Sequence, residues 1–361
     1  MSLEYTDHRR DPDAWAKELG VSRAAIDLYL ASDVIDLHVD TFIWARMYGY
    51  DLAKRHGTGL FDARYYGQAD LPRMREAQIG GAIWVITTNP VRSSRGRAEA
   101  FARNVARLRA KLASCADDVA VVRDAGEYAR ARADGKHAAF IGIQGGSALD
   151  APGALDLIPE RLVVRITLVH LYNSSLGVTS APSAGGGDGG LTPAGKDYVR
   201  QLDSRRIFVD LAHIHRRGFF DAVEAHDRSL PLIVTHTGVS GVFPHWRSLD
   251  DEQLRAVADS GGTVGIMYHA PFLGRRGAGK RASRVVDHIE HVVKTVGEDH
   301  ASLGSDWDGA IVTPRDMKTC LELPKLVELM LQRGMREETI RKVLGANYLR
   351  ALRHLRGAAS A

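Results

Sequence analysis

The feature that most narrows the fold is an alternation, along the whole chain, of short apolar runs with helix-patterned segments. Eight runs rich in Val, Ile and Leu occupy residues 34–37, 79–86, 138–143, 162–169, 207–211, 232–235, 263–268 and 301–303. Between them lie amphipathic stretches at 99–112, 193–202, 216–224, 250–258 and 285–296. Alternating strand and helix signals specify βαβ units, whose parallel strands are buried on both faces and therefore read as continuous apolar runs. Eight such units in 361 residues match an α/β chain forming a (β/α)8 TIM-like barrel. An open doubly wound sheet is the competing architecture, and the missing G-x-G-x-x-G turn after the first run weakens it. The expectation is one barrel domain over 1–361, with a helical extension at 1–33, barrel elements at 34–310 and helices at 311–361.

Composition removes several function classes. Lys plus Arg number 48 against 44 Asp plus Glu, a net charge of +4, without the concentrated basic face that nucleic acid requires. Two cysteines, Cys115 and Cys320, build neither a disulfide framework nor a cysteine-rich zinc module. No signal-peptide pattern opens the chain and no apolar run approaches the ~20 residues that span a bilayer. The reading is therefore a cytoplasmic chain with no membrane partner. A glycine-rich stretch at 183–190 is expected to be a loop, and the Arg-rich stretch at 91–109 a solvated amphipathic helix.

The fifteen histidines carry the functional signal, because of where some of them fall. Successive runs end in His38 and Asp40 (DLHVD), Gln144 (IGIQGG), His170 (TLVHLYN), His213 (VDLAH), His236 (IVTHTG), Tyr268 with His269, and Asp306 (LGSDWDG). In a parallel barrel every strand's C-terminal end opens on one face, the face that carries the chemistry of barrel enzymes. A lone strand-end histidine is usually a packing residue. Four of them with two carboxylates on one rim instead form the donor set of a catalytic zinc or similar ion. Such an ion can lower the pKa of bound water to about 7. Asp306 is the spare carboxylate placed to manage its proton. The remaining histidines read as surface or packing residues, and no G-x-S-x-G elbow or P-loop is present.

An ordered set of motifs resembles the renal (membrane) dipeptidase family, zinc peptidases among the amidohydrolase-like barrels. The set is DLHVDT, DLPRMREAQIGGAIW, IGIQGG, TLVHLYNS, GLTPAGKDYVRQL, VDLAH, IVTHTG, LGSDWDG and GANYLR, running from Asp36 to Arg350. The resemblance implies hydrolysis of short peptides, including those with a D-residue at the C-terminal position. It implies His38 and Asp40 on one metal, His213 and His236 on another, and His170 steadying the scissile carbonyl oxygen. It also implies Arg247 on the substrate's free carboxylate, Tyr268 lining that pocket, and Asp306 handling the proton. Gln144 stands where the family pattern has a metal-bridging glutamate. A glutamine keeps the shape but removes a negative charge, so one or two Zn2+ ions are expected, with at least one position weakened.

Two readings compete at this stage. One is a metallo-dipeptidase acting on a small peptide with a free C-terminal carboxylate. The other is a peptide-binding barrel whose hydrolysis is impaired by Gln144. A hydrolase of another small amide or lactone is a third reading, since the same chemistry serves it. Oligomeric state is left open between monomer and homodimer.

Overall fold

The computed structural model describes residues 2–88, 91–184, 189–275 and 281–357. Nine parallel strands alternate with helices: β1 Ile35–Val39, β2 Gly81–Thr87, β3 Val119–Val121, β4 His137–Gln144, β5 Val163–Thr167, β6 Phe208–Asp210, β7 Ile233–Thr237, β8 Thr263–Ile266 and β9 Ala301–Leu303. Eight of them close a barrel in the order β2-β1-β9-β8-β7-β6-β5-β4, and β4 returns to β2. Closure is made in register from Gly81 opposite Ala138 to Thr87 opposite Gln144, and by Asp36 opposite Leu303. The (β/α)8 TIM-like barrel read from the sequence is the fold observed. Each of its eight strands falls on one of the eight apolar runs.

β3 was not legible as a run. It pairs only with the first residues of β4, Val119 opposite His137 to Val121 opposite Ala139, before β5 takes over that edge at Ile141. It therefore lies outside the wall. A three-residue strand half exposed on the barrel's lower edge has too little apolar length to announce itself.

Several motifs turn out to be structural punctuation. In DLPRM, Asp70 caps a helix through the Arg73 amide, with Pro72 in the first turn. In GLTPAG, Thr192 does the same for the Gly195 amide, with Pro193 following. In GANYLR, the Asn347 amide donates to the carbonyls of Glu298 and Ala301, tying the last helix to the start of β9. Helices Pro12–Leu19 and Arg23–Leu30 lie at the N-terminal end, and Pro324–Gln332 and Asn347–Arg356 at the C-terminal end. One buried cluster runs from Leu3 and Trp15 to Leu344. Of the glycine-rich stretch at 183–190, residues 185–188 lie outside the described residues. The Arg-rich stretch forms most of helix Ser94–Ala113, which buries Phe101, Val105 and Leu108. No helix among the described residues is long and apolar enough to cross a membrane.

Two histidines read as surface or packing residues are core members with both ring nitrogens satisfied. His137 donates through Nδ1 to the Ile79 carbonyl and accepts from the Trp84 indole at 3.1 Å. His288 donates through Nε2 to the Leu273 carbonyl and accepts from the Val239 amide at 2.9 Å. Burial lowers both to about 4. A histidine whose folded value lies below its unfolded one stabilises fully above about 6.5, and that stability is lost as pH falls toward 4. Each ring should cost about 2 kcal/mol between pH 6.5 and 5 at ~1.36 kcal/mol per unit. Urea unfolding at these two pH values should show a loss smaller by about that amount in His288→Gln, whose amide keeps both hydrogen-bonding roles without titrating. An unchanged loss would contradict the assignment.

Candidate metal centre and substrate rim

The C-terminal ends of the strands converge as the runs imply. His38 lies in β1 and Asp40 directly follows it; Gln144 ends β4, and His236 lies in β7. His170, His213 and Asp306 each stand three residues beyond their strands. His213 and Asp306 have φ of 64° and 66°, a left-handed conformation uncommon outside glycine and usually kept where geometry serves a site.

Two pairs of donor atoms have the spacing of ligands on a shared ion. His213 Nε2 and His236 Nε2 are 2.8 Å apart, and His38 Nε2 and Asp40 Oδ2 are 3.2 Å apart. One ligand atom each from His38, His236 and Asp306 also falls within a 4.8 Å cluster. The Gln144 amide lies 3.1 Å from His213 Nε2 and 3.5 Å from His236 Nε2, while its other end meets the Thr87 hydroxyl at 3.2 Å. His170 stacks edge-on against His213 at 4.7 Å.

The histidine pair passes a chemical test for a metal. The Thr235 hydroxyl donates to Asp210, so its lone pair accepts from His236 Nδ1. That leaves His236 Nε2 without a hydrogen, as a ligand requires. His213 Nδ1 has no partner among the described residues, so that ring can carry its hydrogen there and present a lone pair at Nε2 as well. Two lone pairs facing each other across 2.8 Å repel unless a cation lies between them. Burial, with Arg247 and neighbouring histidines adding to it, holds both rings well below the usual histidine range, so neutral ligand-competent rings are favoured over imidazolium.

Arg165 and Asp210 organise the floor of this site, and neither was singled out in the sequence. Arg165 on β5 is fully buried and reaches Asp210 Oδ2 at 3.2 Å. Its guanidinium also donates to the Ile143 carbonyl, to the Thr167 hydroxyl and to His38 Nδ1 at 2.7 Å. Asp210 accepts from Thr167, from Thr235 and from the Ala212 amide. The available signal was charge inside apolar runs: an arginine in VVRIT and an aspartate in IFVDLAH.

Arg247 lies beside this floor, in the loop after β7. It is buried and donates to the His236 carbonyl at 2.6 Å, with no ion pair among the described residues. Burial draws it down to about 10, against the pull of Asp306 and Asp210. It lines a cavity of about 210 Å³ with His213, Ser240 and Ser180, whose buried hydroxyl lacks a partner. Gln144 and His170 line a neighbouring cavity of about 200 Å³ with Arg97, Asp150 and Asn173. Asp306 is pushed well up, first by burial and then by Asp40. Tyr268 is buried edge-on against Trp307 at 5.4 Å with an unpartnered hydroxyl, so it makes no hydrogen bond to Arg247 or the histidines. A depression of about 510 Å³ at the opposite end, by β3 and Glu160, holds no histidine or cysteine.

Comparison with known proteins now bears on this geometry. Residues 22–361 match the family described as membrane dipeptidase, peptidase family M19. The chain belongs to that family. It is 30% identical over 305 residues to a dipeptidase, tcpJ, of Claviceps purpurea, covering 81% of this chain and 71% of that one. It is 36% identical over 169 residues to an uncharacterised protein of Klebsiella pneumoniae encoded in a pqqA 5′ region, spanning 46% of this chain and 61% of that relative. Among solved structures, a metallopeptidase named dipeptidase AC, of family M19, superposes with a TM-score of 0.77 at 26% identity, covering 91% of this chain and 99% of that one. The family is one of peptide-bond hydrolases that use a metal cofactor.

The Arg165–Asp210 pair makes a direct prediction. Removing one partner of a buried ion pair strands the other and costs about 3–5 kcal/mol. Asp210→Asn should lower chemical-denaturation stability by that order, whereas Asp306→Asn, which relieves a buried raised carboxylate, should not. Equal effects would show that Asp210 has no special part in the floor.

Proposed function

We propose that this chain is a metal-dependent dipeptidase that hydrolyses the amide bond of short peptides carrying a free C-terminal carboxylate. The observation that carries the reading is the pairing of two ligand-competent imidazoles with a buried, unpaired guanidinium beside them. A buried guanidinium that makes no ion pair among the described residues is a site for an anion, and its fork suits a carboxylate. The Ser180 hydroxyl supplies a further donor in the same cavity.

His213 and His236 would hold the ion, for which the family resemblance implies zinc. Bound there, it would supply Lewis-acid polarisation and a water of lowered pKa. The remaining work belongs to the chain. Arg247 would fix the substrate's carboxylate and so limit the leaving unit to one residue. His170, kept neutral by burial at about 4, would donate to the carbonyl oxygen as charge develops. Asp306, whose raised carboxyl readily takes a proton, would carry it to the departing amine. The unpartnered Tyr268 hydroxyl would be a free donor within the same wall. Peptides with a D-residue in the C-terminal position are included among the proposed substrates, on the strength of the resemblance.

The test is a panel of L,L and L,D dipeptides against N- and C-blocked analogues, after chelation and reconstitution with zinc, manganese or cobalt. Free-carboxylate dipeptides should turn over, C-terminal amides should not, and Arg247→Met should raise KM far more than it lowers kcat. No turnover in any metal form would end the dipeptidase reading. Tight binding of the same peptides without turnover would support a binding barrel instead.

A further inference from the structure

We infer that this chain carries one divalent ion, on His213, His236 and the Gln144 amide oxygen, and that His38 and Asp40 form a hydrogen-bonded pair instead of a second metal position. This deepens the metallo-dipeptidase reading and concerns only the stoichiometry and ligand set of the same site.

The decisive contact is at the back of His38. Arg165 Nη2 lies 2.7 Å from His38 Nδ1. A guanidinium has donors only and stays protonated, so His38 Nδ1 must be the acceptor. A neutral imidazole that accepts at Nδ1 carries its hydrogen at Nε2. That hydrogen points at Asp40 Oδ2, 3.2 Å away. A metal-bound histidine needs the reverse arrangement, with its hydrogen on the other ring nitrogen, which Arg165 denies to His38 and nothing among the described residues denies to His213. For His38 to ligate through Nε2 under Arg165, the ring would have to lose both protons. His236 has the required arrangement, because its Nδ1 donates into the Thr235–Asp210 pair.

Arg165 is fixed where it is. Its Nη1 is held by the Ile143 carbonyl, the Thr167 hydroxyl and Asp210. Across the β4–β5 register it stands opposite Gly142, where a Cβ would come within 2.6 Å of its Nε. The wall thus leaves room for this side chain at the one point where a larger residue would expel it.

Charge points the same way. Among the groups around the imidazoles, Asp40 and Asp210 offer two negative charges and Asp306 a third when it gives up its proton, while Arg165 and Arg247 return two positive ones. Gln144 adds none. One divalent ion with a hydroxide suits that balance, whereas two would leave a large uncompensated charge in a buried site. Gln144 can serve either state. A half-turn of its amide brings the oxygen to His213 and His236 and the nitrogen to the Thr87 hydroxyl, which lies 3.4 Å from Asp40 Oδ1.

The experiment is a metal count on the full chain. The chelated protein is titrated with Zn2+ by calorimetry, and the zinc retained after gel filtration is measured. Wild type should bind one ion per chain. His38→Ala, and Asp40→Asn if His38→Ala fails to fold by circular dichroism, should still bind one, with Kd changed less than about tenfold, as for residues that do not hold the ion. His213→Ala and His236→Ala should weaken binding by at least about 100-fold, beyond the ~10–100-fold of an outer-partner change. The double variant Gln144→Glu with Arg165→Gln should take two ions and, loaded with Mn2+, show an exchange-coupled paramagnetic resonance signal absent from wild type. Two ions in wild type, none in wild type, or loss of the ion in His38→Ala would each overturn the inference. One ion without dipeptide turnover retires the dipeptidase reading alone; two ions with turnover retires only this assignment.

Discussion

The arrangement of the centre depends on one ion pair inside the barrel, Arg165 with Asp210. Charges at this depth are costly to bury and persist where most of their donors and acceptors are engaged; of Arg165 only Nε lacks a partner among the described residues. Arg165 meets a carbonyl, a hydroxyl, a carboxylate and an imidazole; Asp210 meets two hydroxyls and two backbone amides. The pair joins β5 to β6 and passes through Thr235 to β7 and through His38 to β1. Its two ends impose opposite polarity on the two histidines they reach. Asp210 draws a hydrogen onto the far nitrogen of His236, and Arg165 forbids one on the far nitrogen of His38. Which imidazole faces the site with a lone pair is thus decided one layer below it.

This explains how far the sequence could be read. The barrel was legible because strands buried on both faces must be apolar throughout, and eight such runs leave few architectures. The rim was legible because the pleat and the common strand direction bring run ends to one face, so His38, Gln144, His213, His236 and Asp306 could be gathered without coordinates. Arg165 and Asp210 were not gathered. A single charge in an apolar run has no periodicity, and whether it points into the barrel or out is settled by one step of register. β3 escaped for another reason, since a short strand on the lower edge buries too little to show a pattern. His137 and His288, read as surface or packing residues, do pack, but their bonding was not legible because a histidine with both nitrogens bonded to backbone or indole partners leaves no local sequence mark. Tyr268 shows the limit of alternation at a strand end: the reading that turned it inward was right about burial, yet its hydroxyl meets none of the rim groups.

The rim also shows where the fold accepts local cost. His213 and Asp306 hold left-handed backbone conformations without being glycine, and each lies just past its strand, where the chain must turn to present a side chain over the barrel mouth. The strain is carried by the neighbouring structure: the Thr179 hydroxyl and the Ser180 amide both donate to the His213 carbonyl, and the His38 carbonyl accepts from the Asp306 amide. Hydrogen bonds between loops therefore fix the very residues whose own backbone preferences would let them drift.

Arg247 and Gln144 stand in a complementary relation. Arg247 is a positive charge that makes no ion pair among the described residues, and Gln144 is a neutral amide on the floor between the histidines. A free peptide carboxylate would neutralise the first, while the second leaves the centre with less negative charge to hold a cation. On the proposed reading, a substrate carboxylate and the ion carry opposite charges within one buried site, so each should favour the other's binding, with Asp306 near both. In a buried site of low effective dielectric that coupling is not screened as it would be on the surface. With a neutral amide at 144, where the resemblance implies a glutamate, the proposed ion should therefore be retained best when the carboxylate pocket is occupied.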